Sequence, residues 1–216
     1  AGAGNYGAWI LPDDLELYVN SEGRPDMYGR TDLYVARRAT AKDPWSDAVN
    51  LGPVVNSPYG ENLSSLSPDG LLVLFSPNFG STGGVRPGGY GQCDIWMARR
   101  ASLSDPWQAP VNLGPIVNSP QDDCLARISP DGHTLYLGST RSGSIDNYQV
   151  PILPIMDFNG DWTADLDDLV LLIDNWGTDN TLYDIGPFAW GDGKVDIEDL
   201  KVFITEWEKE TAAAQP

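Results

Sequence analysis

Residues 32–58 read DLYVARRATAKDPWSDAVNLGPVVNSP, and residues 94–120 read DIWMARRASLSDPWQAPVNLGPIVNSP. The second stretch repeats the first, with Asp94 in the place of Asp32. The same shift along the chain relates the tetrapeptide Ser67-Pro-Asp-Gly70 to Ser129-Pro-Asp-Gly132. A weaker third copy lies upstream, where the sequence LPDD stands in place of the tetrapeptide. A period of this length is typical of an array of similar supersecondary units.

Each copy predicts a set of short strands joined by turns. The tetrapeptide is a tight turn, because Pro fixes φ and Gly accepts a positive φ. In the second copy we expect strands at residues 62–66, 71–75, 94–98 and 111–113. The last set of strands, at about residues 124–152, has only three members, because an acidic segment follows it at once. Four short strands of this kind make one blade of a β-propeller.

The copies resemble the TolB-type, WD-like propeller repeat, and the resemblance covers about residues 6–152. It implies a mainly β fold with a partial β-propeller in residues 1–152. The blades would lie at about 6–51, 62–113 and 124–152, the last one incomplete. Closed propellers have about 4–8 blades. We therefore expect the C-terminal part of a longer propeller, and the alternative is an arc completed by a second copy of the chain.

Three arginines, Arg24, Arg86 and Arg141, recur in the same loop of each copy. On one propeller face they could bind an anionic, carbohydrate or protein ligand. Alternatively, each pairs with a nearby acid and holds its own loop. The two cysteines, Cys93 and Cys124, permit one disulfide but do not require it.

The acidic residues are concentrated near the C-terminus. Residues 1–154 hold 16 acidic and 10 basic side chains, whereas residues 155–216 hold 15 acidic and 3 basic ones. Acid this dense needs a counterion, or a structure that tolerates the repulsion, such as an acidic helical hairpin without metal. The net charge of −18 argues against a nucleic-acid partner, which needs clustered Lys and Arg. The longest apolar run, residues 169–173, is far shorter than the roughly 20 residues of a membrane span. The stiff segment 151–154 marks a domain boundary.

Residues 157–168, DFNGDWTADLDD, place oxygen ligands at the spacing of an EF-hand calcium loop. The expected ligands are the side chains of Asp157, Asn159, Asp161, Asp165 and Asp168 and the backbone carbonyl of Thr163. Two details depart from the usual loop. The last position is Asp where a bidentate Glu is usual, and Trp162 stands where Gly makes the sharp turn.

A second acidic loop precedes residue 200. Aligning Asp199 with the last position of the first loop leaves Phe188 and Trp190 at the first two ligand positions, where neither side chain can bind a cation. Asp184, four residues further back, is the expected substitute in an expanded loop. The expected ligands of this second calcium site are Asp184, Asp192, Asp196, Asp199 and the carbonyl of Lys194.

Each loop is followed by apolar residues at the spacing of an amphipathic helix. The faces expected to be apolar comprise Leu166, Leu169, Val170, Ile173 and Trp176 in the first helix, and Ile197, Leu200, Phe203, Ile204 and Trp207 in the second. Gly177 is a natural stop for the first helix.

Two such loop–helix units in tandem resemble the type I dockerin domain over residues 155–208, which leaves residues 209–216 as a flexible tail. The resemblance implies a small helical module that folds around two calcium ions. It also implies binding to a cohesin-like module on a scaffold or cell surface, and hence an extracellular location. In the dockerin family, loop positions 10 and 11 help to select the cohesin partner. Here these are Leu166 and Asp167, and Ile197 and Glu198, and not the Ser-Thr pair of standard cellulosomal dockerins.

The sequence lacks the specific motifs of several enzyme classes, although so acidic a chain leaves a carboxylate pair for glycoside hydrolysis open. It has no nucleophile elbow, phosphate-binding glycine loop or zinc-spaced His/Cys set. We therefore expect a secreted, non-catalytic binding protein. One alternative is the C-terminal part of a carbohydrate-active, polysaccharide-degrading enzyme whose catalytic residues lie upstream. Another alternative is a structural component of the cell surface.

Overall fold

The structure, a computed structural model, describes residues 4–77, 85–152, 156–159, 164–180, 182–188 and 191–213, with side chains up to residue 209. The described part of the chain is mainly β, with 11 strands in three sheets and three helices. It divides into two compact units, Ala1–Val150 and Pro151–Pro216. The sheets belong to the first unit and the two longer helices to the second.

The strands follow one another in each sheet in chain order. The first sheet contains β1 (Gly4–Ile10), β2 (Glu16–Glu22), β3 (Asp32–Arg37) and β4 (Val49–Asn50). The second contains β5 (Glu61–Leu66), β6 (Leu72–Pro77), β7 (Trp96–Arg99) and β8 (Val111–Asn112). The third contains β9 (Asp123–Ile128), β10 (Thr134–Ser139) and β11 (Asp146–Pro151). A one-turn helix, α1 (Gly114–Val117), precedes the third sheet.

The strands expected in the second copy are confirmed, with one shift at the start of β7. This strand begins at Trp96 because the preceding Asp94 binds its own loop. The backbone N–H groups of Tyr90 and Gly91 donate to the Asp94 carboxylate at 2.6 and 2.9 Å. Asp32 accepts the equivalent bonds from Tyr28 and Gly29. The three-stranded third sheet also agrees with the sequence.

The first two sheets share a hydrophobic core. Strand β5 contacts the strands β1, β2 and β3 of the first sheet and β9 of the third. The buried members of this core are Leu11, Tyr18, Leu33, Val35, Val55, Leu66, Val73, Phe75, Trp96, Ala98 and Trp107. Trp107, from the repeated Asp-Pro-Trp turn, meets the ring of Tyr18 edge-on at 6.4 Å. The repeated turn therefore supplies an aromatic side chain to the packing between sheets.

A buried ion pair also joins these two sheets. Arg100 Nη2 lies 2.9 Å from Glu16 Oε2, and Arg37 Nε lies 2.6 Å from Glu16 Oε1. The Arg100 guanidinium stacks over the ring of Trp107 at 4.6 Å, and its Nε donates to the carbonyl of Gly70. Burial alone would raise the pKa of Glu16, but hydrogen bonds from Tyr18, Arg100 and Arg37 outweigh burial and lower it.

The second unit contains the helices α2 (Leu166–Asp174) and α3 (Ile197–Ala213). The buried side chains of its core are Met156, Leu172, Ile185, Val195 and Phe203. Both helices were expected, but the apolar face expected for α2 was wrong. Leu169 packs toward the core beside Leu172, whereas Leu166, Val170, Ile173 and Trp176 are exposed.

The end of α3 also differs from the expectation. A flexible tail was expected from residue 209, but the helix continues to Ala213. Residues 208–213, EKETAA, contain no helix breaker, and Lys209 pairs with Glu206 one turn earlier at 2.5 Å. Across the described ranges, no helix is long and apolar enough to cross a membrane.

Candidate metal centre

The first acidic loop is closed by the carboxylate of Asp168, which is fully buried. The N–H groups of Phe158 and Asn159 donate to its Oδ1 at 2.8 and 3.1 Å, and the N–H of Asp165 donates to its Oδ2 at 2.9 Å. The side chain of Asp165 in turn accepts from the N–H of Asp167. Asp165 and Asp168 thus form a capping box at the start of α2. One side chain thus fixes both ends of the loop.

The second loop repeats this hydrogen-bond pattern. Asp199 is fully buried, and its Oδ1 accepts from the N–H groups of Ile185 and Gly186 at 2.6 and 2.7 Å. Its Oδ2 accepts from Asp196 N–H at 2.6 Å. The match pairs Ile185 with Phe158 of the first loop, so Asp184 is the counterpart of Asp157. The expanded-loop alignment gave Asp184 this same position in the loop, and its role as a calcium ligand stays a prediction.

Asp184 is the centre of the second loop. Its carboxylate, nearly buried, accepts from the N–H groups of Asp192 and Gly193 at 2.9 and 2.8 Å. Gly191, at φ +74°, lies so close that a Cβ there would overlap the Asp184 carboxylate. The structure therefore places the Asp184 carboxylate against the segment that carries Asp192, although the two residues are not adjacent in the sequence.

The matched positions also show a difference between the two loops that the sequence alone did not indicate. Gly186 is the counterpart of Asn159, so the second loop lacks a side-chain oxygen at this position. A Cβ at Gly186 would lie 2.5 Å from the carbonyl carbon of Glu198, so only glycine allows the backbone to approach α3 this closely. The sequence does contain this match: once the insertion that follows residue 186 is removed, Asp184, Ile185 and Gly186 align with Asp157, Phe158 and Asn159.

The second loop concentrates negative charge. Burial raises the pKa of Asp184, and the neighbouring carboxylates of Asp199 and Asp192 raise it further against two backbone hydrogen bonds. Burial likewise raises the pKa of Asp192, as do the charges of Asp196, Asp199 and Glu198. The ionised forms of Asp184 and Asp192 are therefore destabilised by burial and by the neighbouring carboxylates, a condition that a bound cation relieves.

The other residues expected to bind calcium lie in different parts of the two loops. Asp157 and Asn159 lie at the start of the first loop, and Asp161 and Thr163 lie outside the described residues. Asp196 caps α3 by accepting from Glu198 N–H at 3.0 Å, and Lys194 is exposed. Among the residues that the structure describes, no three acidic, His or Cys side chains converge as a metal-binding group. The oxygen-only donor set nevertheless has the chemistry that a hard cation such as calcium requires.

The residues expected to bind a partner lie at the start of each helix. Leu166 is 61% exposed and Ile197 is 49% exposed. Two turns further along, Ile173 and Ile204 are also exposed at matched positions, which the sequence had assigned to the buried faces. Asp167 is exposed, and Glu198 pairs with Lys201 at 2.6 Å.

The three repeated arginines have partners within the first unit. Arg86 lies 3.1 Å from Glu61, and Arg141 lies 2.6 Å from Asp123. Arg24 donates to the side chain of Asn5 at 3.4 Å. The guanidinium groups also stack over the rings of Tyr34, Trp96 and Tyr148 at 4.6, 4.9 and 4.8 Å. The geometry supports a role in holding their loops, while ligand binding by these arginines stays a prediction.

The acidic partners of Arg86 and Arg141 have pKa values that are shifted in opposite directions. Burial raises the pKa of Glu61 to about 7, although Ser57 and Arg86 favour the charged form. Asp123 occupies the equivalent position in the next copy of the repeat. Burial opposes its ionisation too, but hydrogen bonds from Ser139, Arg141 and Ser119 lower its pKa.

Comparison with known proteins gives no independent assignment. No protein-family model matches the chain, and no curated protein is significantly similar to it.

Proposed function

We propose that the chain is a secreted, non-catalytic binding protein whose second unit is a dockerin-like module, held together by calcium and docked to a cohesin-like partner. The first unit would be a partial β-propeller that binds a carbohydrate or protein ligand. The observation that carries this proposal is the matched construction of the two acidic loops. In both loops one buried Asp closes the loop and caps the helix that follows.

Calcium is the cation that fits these loops. The donor groups are carboxylate, amide and carbonyl oxygens, which hard divalent cations prefer. Residues Asp157, Asn159, Asp165 and Asp168 would contribute to the first site, with Asp161 and the carbonyl of Thr163. Asp184, Asp192, Asp196, Asp199 and the carbonyl of Lys194 would contribute to the second. A bound ion would neutralise the carboxylates and stabilise the packing of both helices.

The first site would be the stronger of the two. Asn159 supplies an oxygen in the first loop where Gly186 has no side chain in the second. Calcium affinity depends on the number of charged and polar ligands. Calcium would therefore fill the first loop at a lower concentration than the second.

The docking surface would be the exposed apolar side of the two helices. Leu166 and Ile173 on α2 correspond to Ile197 and Ile204 on α3, and all four are exposed. Large exposed apolar side chains at matched positions are typical of protein-binding surfaces. The nearby charges of Asp167 and Glu198 would then contribute to the choice of partner.

The experiment measures binding of the full chain to a panel of immobilised, purified cohesin modules, with calcium or with a chelator. We expect calcium-dependent binding to at least one module, lost in an Ile173→Glu/Ile204→Glu double variant. Val54→Glu is the matched control, because Val54 is similarly exposed but belongs to the first unit. Binding that persists in chelator, or no binding to any module, would contradict the proposal.

A further inference from the structure

Cys93 and Cys124 meet at the junction between the second and third sheets. Both side chains are buried, with 2% and 1% exposure, and both are free thiols. Cys93 lies just before β7, and Cys124 lies in β9, opposite Gly138 of β10. Each thiol also shifts the pKa of the other: Cys124 raises the pKa of Cys93, and Cys93 lowers the pKa of Cys124. The segment that leads into β7 and strand β9 of the third sheet thus each bring one buried cysteine to this junction.

The surrounding backbone is part of the repeat. The N–H of Asp123 donates to the carbonyl of Cys93 at 2.6 Å. At the junction between the first and second sheets, the N–H of Glu61 donates to the carbonyl of Thr31 at 2.8 Å. In the alignment of the two copies, Thr31 is the counterpart of Cys93, and Asn62 is the counterpart of Cys124. Both members of one junction are therefore cysteine, and neither member of the other is.

We propose that Cys93 and Cys124 form a disulfide that covalently clamps the third sheet to the second. A backbone hydrogen bond one residue away already holds the two chain segments together. Bridging requires neighbouring Cα atoms, and the bond from the N–H of Asp123 to the carbonyl of Cys93 places Cys124 one residue from this point of contact. The clamp closes a loop of about 30 residues, long enough for a crosslink to stabilise the fold.

The chemistry needs a disulfide oxidant, such as oxidised glutathione. The thiolate of Cys124 attacks one glutathione sulfur and releases reduced glutathione, which leaves a mixed disulfide on Cys124. Cys93 then attacks the Cys124 sulfur and releases the second reduced glutathione. The protein loses two protons and two electrons, and the oxidant gains them. The neighbouring Cys93 lowers the pKa of Cys124, which favours the Cys124 thiolate, and the exchange balances equally if Cys93 attacks first.

The test refolds the full 216-residue chain in a buffer of oxidised and reduced glutathione, followed by alkylation in denaturant and intact-mass analysis. We expect an unalkylated monomer lighter by two hydrogen atoms, and a proteolytic peptide that joins Cys93 to Cys124. Two alkylated cysteines, stable glutathione adducts or a crosslinked dimer would each overturn the proposal.

A second measurement tests the clamp itself. Reduction should lower the melting temperature of the first unit by roughly 10 °C, from the loop length and the size of the unit. The Cys93→Ser/Cys124→Ser variant should melt with the reduced protein and be insensitive to reductant. An oxidised protein that melts at the same temperature as the reduced one would overturn the clamp.

Discussion

Replacing Arg100 with methionine removes the charged group that joins the first and second sheets. The Arg100 side chain is 1% exposed, and that of Glu16 is 8% exposed. Methionine keeps the aliphatic packing but loses the contact with Glu16, the bond to the Gly70 carbonyl and the stacking on Trp107. The Glu16 carboxylate is then left buried with Arg37 and Tyr18 as its remaining partners.

The size of the effect follows from this loss. Removing one partner of a buried ion pair costs about 3–5 kcal/mol, and the remaining Arg37 contact places the expected value at the lower end, about 3 kcal/mol. Arg38, the counterpart of Arg100 in the preceding copy of the repeat, is the matched control. It stacks on Trp45 in the same way, but its partner Asp14 is 47% exposed. Arg38→Met should therefore cost less than about 1 kcal/mol.

Urea unfolding of both variants, followed by tryptophan fluorescence, measures these free energies. The pH dependence gives a second readout. Because the folded-state pKa of Glu16 is lowered, the ion pair stabilises the fold above the unfolded-state pKa, and this stabilisation is lost as the pH falls through the folded-state pKa. The deficit of Arg100→Met should thus shrink in acid. Equal losses for the two variants, or a deficit independent of pH, would refute the reasoning.

Three further predictions concern single residues of both units. Gly191→Ala should weaken calcium binding at least about tenfold, because its Cβ overlaps Asp184, whereas Gly177→Ala, at a similar φ with open space around it, should leave the affinity measured by calorimetry unchanged. Because burial raises the pKa of Glu61 from 4.5 to about 7, the wild type should lose about 3 kcal/mol as the pH rises between these values. Glu61→Gln should remove that slope in denaturant unfolding, and parallel pH profiles would exclude it. Asn118→Ala leaves the N–H of Ile95 without its acceptor, while the Ile95 carbonyl keeps its bond from the N–H of Leu113, so the change should cost about 2 kcal/mol. The exposed Asn147→Ala should be neutral, and similar losses would contradict this role.

The strands could be predicted because their signals are local. A Ser-Pro-Asp-Gly turn fixes where one strand ends and the next begins, whatever packs around it. The side-chain bonds that stabilise each repeat are not local. Asn56 binds both backbone groups of Leu33, and Asn118 does the same for Ile95. Only the identical spacing of the two asparagines in the repeated stretch indicates such a role.

The helices show the limit of periodicity. The second unit was predicted to be helical because apolar residues recur at helical spacing. Apolar residues of α2 nevertheless lie on two sides, and periodicity does not say which side is buried. The contact of Leu172 with the rest of the core decides it. That contact depends on how both loops fold, which the spacing within one helix does not encode.

For the second loop, the sequence indicated the position of the first residue but not of the residues that follow it. Asp184 was expected because the usual positions hold Phe188 and Trp190, which cannot bind a cation. The counterpart of Asn159 could not be assigned in advance, because the place of the insertion is unknown without the backbone. The hydrogen bonds from Ile185 and Gly186 to Asp199 fix it.

Calorimetric titration of the full chain with calcium tests the central claim most directly. We expect saturable binding of two ions, with one lost in Asp157→Asn and the other in Asp184→Asn. Asp174→Asn, an exposed acid on α2, should keep both. Circular dichroism should gain helical signal as the ions bind. Absence of saturable binding up to about 10 mM calcium, well above the range of extracellular calcium modules, would contradict the account.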